Sequence, residues 1–547
     1  MKQYLLLALF GFISCLGYAQ GFINKGAQLV LANNSHVVIQ GNYSNENNGK
    51  IHQDGTLWLS GDWHNNAVEN ALNNPDGSHA IKFNGSNLQV IGGNYSGTQI
   101  LEGLHISNGA SVQVSSDKQL TLKGTLQVNG DLTLQSDATG TASLVDNGNI
   151  SLSGSATAQL HLTATSTSPY WHYVTIPVDV SGNAVQSDVF GTPYNHNSQD
   201  YYAYYYDEGA GSYTAIQDAS TDLSGQLRGY AVPKGSAATL DFSGTLNSGS
   251  YSTTLTRNGD GFNLVGNPYP SGLDLGSFDG TMSGITASNS ELVTTVWIRS
   301  DGDFEEYNWQ SGTAVSGSFS GVVPPMQAFW LRVAQGQNNI TFGVDNPARV
   351  HDQSLVYKSE TSEKLRLVVS RGELSDAVLM DFRSKATAGR DNYDSPKMFA
   401  TDARYPQIYM PLKGQKLAIN GMPPLQESRV IPLGFKTQKA GDFTIKARNI
   451  SAFQAAAQVW LEDTHTGAMV DLRKKGSYTF STSGAADNPK RFNIHLKLNT
   501  TTGLATAKNS ALRMHSHKAS LYLHNGTSHK ATMQLFDLTG RKIIQQH

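Results

Sequence analysis

The sequence predicts an all-β protein, and three observations carry that prediction. Its 547 residues include 54 glycines and only 15% charged residues. Turn-forming residues recur roughly every ten positions, as in chains of many short strands. Apolar residues then alternate with polar ones at period two over long stretches, and no stretch sustains a helical period. The length is enough for about three or four domains.

The chain opens with a charged Lys2, an apolar run from Tyr4 to Ile13, and small residues at Gly17 and Ala19. That pattern reads as a secretory signal peptide over residues 1–19, with cleavage between Ala19 and Gln20. A lipoprotein box at Cys15 is the alternative, but it would bypass the better small-residue site four positions on. Cys15 is the single cysteine. Cleavage after Ala19 would leave none, excluding disulfides, thiol catalysis and cysteine-held zinc. The apolar run is too short to span a bilayer, and no transmembrane span is expected elsewhere.

Residues 20–165 are quasi-repetitive. Val37 to Gly41, Leu57 to Gly61, Ile81 to Gly85, Thr121 to Gly124 and Ser151 to Gly154 are short strands, each ended by glycine. A spacing of roughly twenty residues suits one coil of a β-solenoid. A parallel β-helix is the first expectation, and a meander of hairpins fits the same local pattern.

Residues 166–350 change character. Pro169 to Pro177 is an aromatic strand closed by proline, and a run rich in tyrosine follows at residues 201–206. Further strands are expected at 293–299, 304–309 and 327–333, with Asp301-Gly302 turning the first into the second. Inside this β-sandwich-like unit, residues 261–271 read Gly-Phe-Asn-Leu-Val-Gly-Asn-Pro-Tyr-Pro-Ser. Pro268 and Pro270 each remove a ladder donor and force the preceding residue into an extended conformation, so the strand must end in a rigid corner. Residues 351–498 supply strand candidates at the spacing of a second β-sandwich. A linker at 499–518 and a short hairpin at 519–547 complete the expected order.

The formal charge of −3 conceals an asymmetry: roughly −5 over residues 21–165, −11 over 166–350 and +12 over 351–547. The basic residues are scattered through strand-like segments without interleaved stacking aromatics, which argues against nucleic acid. A solvated surface, or an anionic partner such as polysaccharide or lipid headgroups, fits better.

Four regions resemble the multidomain cargo proteins of the Bacteroidota type IX secretion system. The phrases Asp62-Trp63-His64-Asn65 and Phe83-Asn84-Gly85, with Gln89 to Gly92, are similar to their N-terminal repeats. The 261–271 stretch, Val296-Trp297 and Pro324 to Trp330 resemble their middle unit. Tyr393-Asp394-Ser395-Pro396-Lys397, Leu417 to Asn420, Val459 to Asp463 and Arg491-Phe492 resemble the third. The tail motif with Leu535, Asp537, Gly540 and Arg541 resembles the first hairpin of the C-terminal sorting domain. In that family the domain continues into further strands, so 519–547 corresponds to a partial one. The resemblance implies export, passage by the type IX secretion machinery, and an extracellular or outer-membrane-attached address.

Candidate sites are few. Asp301, Asp303, Glu305 and Glu306 form an oxygen-rich hairpin that could hold calcium or simply be a charged turn. Trp171 and the tyrosines at 201–206 could form a stacking platform for sugars or supply alternating core residues. His515 and His517 lack a third metal ligand and read as surface histidines. No nucleophile elbow, zinc-binding helix motif or phosphate loop occurs. The expectation is therefore no catalytic, cofactor or metal residues, and a non-enzymatic surface protein in adhesion or structure, with a surface glycan or polysaccharide as partner. A secreted polysaccharide-active enzyme or carbohydrate-binding protein is the alternative.

Overall fold

The computed structural model describes residues 4–5 and 21–546 apart from 68–69, 74–77, 96, 147, 164–168, 181–184, 277–283, 288–289, 301–302, 317–318, 352–362, 452, 454–456, 499–511, 518–519, 526–532 and 537–540. The chain is nearly all-β and divides into two compact units, Met1–Lys497 and Leu498–His547. Among the described residues no helix is long and apolar enough to cross a membrane.

The first part is a parallel β-solenoid with three faces. One face stacks Gly21–Lys25, Asn42–Glu46, Trp63–Asn65, Leu88–Gly92, Ser111–Val114, Asp131–Leu134 and Ser155–Leu162. Another stacks His36–Ile39, Thr56–Leu59, Ile81–Phe83, Leu104–Ile106, Leu126–Val128 and Ile150–Leu152. The third is formed by short strands such as Thr98–Leu101, Gln119–Leu122 and Ser143–Val145. Pairing is parallel and in register, so the repeats are coils of a β-helix and not hairpins.

Register turns the local alternation into columns. Leu57, Ile81, Leu104 and Leu126 stack directly above one another and are wholly buried. Each contributes about 1.5–3 kcal/mol of burial, which a slip by one residue would turn to solvent. Asn45 and Asn65 form a buried polar column beside them, with Asn45 Nδ2 donating to Asn65 Oδ1 at 3.0 Å. At successive coil ends the glycine is steric: a Cβ on Gly154 would lie 2.0 Å from the Gly130 carbonyl oxygen, and one on Gly130 2.1 Å from that of Ala110.

The hydrophobic core does not stop at residue 165. Ser155–Leu162 pairs antiparallel with Ala238–Ser243, which covers the open edge of the solenoid. Val174, Ile176, Phe190, Tyr230, Val232 and Phe242 continue the solenoid core. Tyr170–Val174, Tyr230–Lys234, Ala203–Asp207 and Ser212–Ile216 form a four-stranded sheet. Phe262–Gly266, Ala328–Arg332, Thr295–Ser300, Asp303–Asn308 and Thr313–Ala314 form a five-stranded one. Its Thr295–Ser300 and Asp303–Asn308 strands are the expected hairpin, whose Asp301-Gly302 turn lies outside the described residues.

The double-proline corner is a joint. Asn267 Nδ2 donates to the carbonyls of Ser271 and Pro324, at 2.6 and 2.9 Å, and the Pro270 carbonyl accepts from Leu144 N of the solenoid at 2.7 Å. Arg349 lies over the fully buried Tyr269 ring at 4.8 Å and pairs with Asp146 of the solenoid at 2.7 Å. His351 reaches Thr121 Oγ1 and Ser143 Oγ, both at 2.8 Å.

The third region is a β-sandwich whose two sheets share the Gln407–Leu412 strand. Phe435 and Phe492 of one sheet meet Phe480 of the other at ring distances of 5.0 and 4.8 Å. The Leu498–His547 unit holds two hairpins, Leu512–His517 with Ser520–Asn525 and Met533–Phe536 with Lys542–Gln546. The end of the expected linker is therefore a strand.

Candidate ligand-binding cleft

Alternation along the Ala203–Asp207 strand turns Tyr205 to the solenoid core and Tyr204 and Tyr206 to the opposite aromatic cluster with Trp171, Tyr173, Phe262 and Trp330. Tyr202 lies just before the strand, outside its alternation, and also packs on the solenoid core. A cavity of about 570 Å3 opens among these rings, further lined by Tyr213, Arg299, Phe304 and the Met398-Phe399 segment. That volume lies within the range of small-molecule sites.

Two β-sheets and the Met398-Phe399 segment bring the rings together. The four-stranded sheet gives Trp171, Tyr173, Tyr204, Tyr206 and Tyr213, and the five-stranded sheet gives Phe262, Arg299, Phe304 and Trp330. The rings hold one another edge to face: Tyr206 meets Trp330 at 4.7 Å and 83°, and Trp171 meets Tyr204 at 5.2 Å and 62°. Such pairs fix ring orientation beyond what area burial alone would do. Tyr201 stacks on Tyr204 at 5.5 Å with planes 8° apart, extending the aromatic surface.

Polar groups in the cleft are sparse and oriented. Arg299 Nε donates to the Trp171 carbonyl at 3.1 Å, and its guanidinium lies 5.6 Å from the Tyr173 ring and 5.8 Å from that of Phe304. The Tyr173 and Tyr213 hydroxyls share a 2.7 Å hydrogen bond. Burial, with Tyr173 beside it, raises the Tyr213 phenol well above its usual range, so it stays protonated. The Nε1 of Trp330 is buried without a hydrogen-bond partner. A smaller cavity of about 270 Å3 shares Trp171, Tyr173 and Arg299 and is lined also by His161 and His172. Burial lowers the His172 imidazole to about 4, so that ring is neutral near pH 7. Among the described residues, no carboxylate lines the aromatic cleft.

The other expected sites come apart. Glu305 Oε1 accepts from Ser316 N at 2.7 Å, whereas Glu306 is fully buried against Lys397 and Met398. Glu305 therefore turns away from Glu306, Asp301 lies outside the described residues, and no group of three or more potential ligands among the described residues could hold a metal. His515 and His517 lie on the Leu512–His517 strand. Leu535 pairs with Ile544, and Arg541 is exposed just before the returning strand. Ala19, Gln20, Asp537 and Gly540 lie outside the described residues. Tyr213, Phe262, Arg299, Phe304 and Trp330 were not marked as site residues by local pattern. The signal that could have found them is the density of aromatics between residues 170 and 330.

No curated protein and no solved structure matches the chain. One family does, over residues 53–496, a span that takes in the solenoid from its second coil, the aromatic cleft and the β-sandwich. Since that match covers most of the sequence, the chain belongs to the family described as Domain of unknown function (DUF8693).

Proposed function

We propose that this is an exported surface protein that acts by binding and not by catalysis, and that its aromatic cleft takes the sugar rings of a surface glycan or polysaccharide. The cleft lining carries this reading: flat rings on several sides, one guanidinium, four tyrosine phenols and no carboxylate among the described residues. Ring faces pack against the C–H faces of a pyranose, and the guanidinium and phenols hydrogen-bond its hydroxyls. Glycoside hydrolysis would call for a pair of carboxyls flanking the bond. The leader-like start and the resemblance to type IX cargo support the address, with the solenoid as stalk.

Titrating the mature chain against a glycan panel, read by tryptophan fluorescence, tests the ligand class. Trp171→Ala and Tyr204→Ala should each weaken binding by about 1 kcal/mol, a several-fold loss. Binding that survives both, or no binding across the panel, would refute a sugar cleft. Release of reducing ends from the panel would favour a polysaccharide-active enzyme. Protease shaving of intact cells tests the address, since protection until the envelope is broken would exclude surface display.

A further inference from the structure

Where the β-sandwich meets the five-stranded sheet, a buried amine is surrounded by carboxyls, and binding at the cleft makes no use of it. Lys397 ends the Tyr393-Asp394-Ser395-Pro396-Lys397 phrase, where the short Ser395–Pro396 strand lies on Gln415–Met422. Its side chain is wholly excluded from solvent, as is that of Glu306, and Asp376 is 3% exposed. Lys397 Nζ sits 2.7 Å from Asp376 Oδ1 and 3.3 Å from Glu306 Oε1. Ile408 N donates to Asp376 Oδ2 at 2.8 Å, and Met398 N to Glu306 Oε1 at 3.1 Å. Asp303 lies beside them, also buried, and its Oδ1 has no hydrogen-bond partner.

We propose that Lys397 and Asp376 are joined by an intramolecular amide bond, formed within the folded sandwich with Glu306 as proton carrier. One proton passes from the ammonium to Asp376 Oδ1, which leaves a neutral amine in contact with a neutral carboxyl. Nζ adds to the Asp376 side-chain carbonyl carbon, and Oδ2, held by the Ile408 N–H, takes the developing negative charge. Glu306, held mostly protonated by burial, relays the second proton: one carboxyl oxygen takes it from Nζ as the other gives its own to Oδ1, which departs as water. One N–C bond forms, one C–O bond breaks, and nothing is oxidised or reduced.

The cluster is crowded with acid, and its geometry holds the amine against one carboxyl in particular, Asp376. One ammonium cannot balance three carboxylates, and each uncompensated charge in the interior is costly. Burial accordingly raises all three acids, Glu306 to about 8 and Asp303 to about 7. For Lys397, burial works against the charged form, but the charges of Asp376, Glu306 and Asp303 outweigh it and raise its pKa, so protons stay within the cluster. Amide formation removes the one ammonium and one carboxylate, leaving two acids whose pKa burial raises. With Cys15 the only cysteine, no intrachain disulfide can staple this unit, and the amide would supply a covalent tie between residues 376 and 397.

Intact-mass measurement and peptide mapping of the purified full chain test this. The expected result is a mass lower by one water, about 18 Da, and a branched peptide joining the Lys397 and Asp376 segments. Glu306→Gln should restore the full mass while circular dichroism still reports strand. Lys397→Met should restore it too, and neither variant should yield the branched peptide. Full mass and separate peptides in the unmodified chain would overturn the proposal and leave a buried ion pair. A branch at Glu306 would overturn the assignment of Asp376, and a branch persisting in Glu306→Gln would overturn the proton-carrier role. The unmodified chain alone decides whether the bond exists, even if a variant fails to fold.

Discussion

Removing Asp146 should loosen the joint between solenoid and middle unit more than any surface charge change. Its carboxylate and the Arg349 guanidinium are 1% and 0% exposed, with Nη1 and Oδ2 2.7 Å apart. Asp146 Oδ2 makes no aligned hydrogen bond despite that distance and balances the buried cation, while Oδ1 accepts from Ser248 Oγ and from Gly148 N at 2.8 Å. Asp146→Ala would strand a guanidinium whose remaining partners are neutral: the Leu144 carbonyl at 2.8 Å, Asn346 Oδ1 at 3.1 Å, Ser248 Oγ at 3.2 Å and the Tyr269 ring. Breaking a buried pair from one side costs about 3–5 kcal/mol, whereas replacing both partners with apolar groups is often neutral. The neutral acceptors place the expected loss near the lower end, about 3 kcal/mol. Asp146→Ala with Arg349→Met should recover most of it, giving a coupling well above the few tenths expected of independent sites. Urea titrations of the four proteins measure the cycle. A loss under about 1 kcal/mol for Asp146→Ala, or simple addition of the two single effects, would refute the reading of this pair as the charge lock of the joint.

Three further outcomes follow from neighbouring residues. Gly266→Ala should destabilise by at least about 1–3 kcal/mol in thermal unfolding, because its Cβ would fall 1.5 Å from Thr175 Oγ1 and 3.1 Å from Ala328 Cα; an unchanged midpoint would show that the corner tolerates a side chain. Acidification should weaken the joint through His351, whose pKa burial, and then the Arg349 charge, lowers to about 4. Because that value lies below the unfolded value near 6.5, the unfolded chain binds the proton first, so stability present above pH 6.5 is lost as pH falls toward 4. The shift corresponds to about 3 kcal/mol at most. His351→Gln should flatten that slope in pH-dependent melts, leaving His172 to supply its own share, and an unaltered slope would exclude His351. Tyr202→Ala should lower the melting temperature without changing glycan affinity, the reverse of Tyr204→Ala, since Tyr202 packs on the solenoid core and Tyr204 lines the cleft.

How far such features can be read from sequence depends on how local their cause is. The β class and the solenoid coils were legible because alternation and glycine-ended strands are properties of five consecutive residues. Whether those strands pair as parallel coils was not, because the same five residues suit a hairpin, and only contact with the next coil distinguishes them. The tyrosine run shows the same limit. Its alternation guaranteed two faces, but which face meets the core depends on Tyr230–Lys234, the strand that Tyr204 and Tyr205 pair with. Arg299 and Trp330 gave no local sign of a site, since their surroundings are assembled from strands far apart in the chain.

The carboxylates at 303, 305 and 306 explain why a charge pattern misleads when its counter-charge is distant. Read along the strand, they looked like an oxygen-rich turn, open to water or to calcium. Glu306 instead finds Lys397 at a sequence separation of 91, and the cost of burying a carboxylate is what makes that meeting selective. An unpaired Glu306 carboxylate in the interior would be neutralised or expelled, so the charged form is tolerated there only with the Lys397 segment beside it. The Gly266–Ser271 corner obeys the same logic: its prolines dictate locally that the strand stops, but Leu144, Asp146 and Arg349 decide that the corner becomes a joint. In both places the sequence states a local constraint, and the function of that constraint is set by a partner that only the assembled sheets bring within reach.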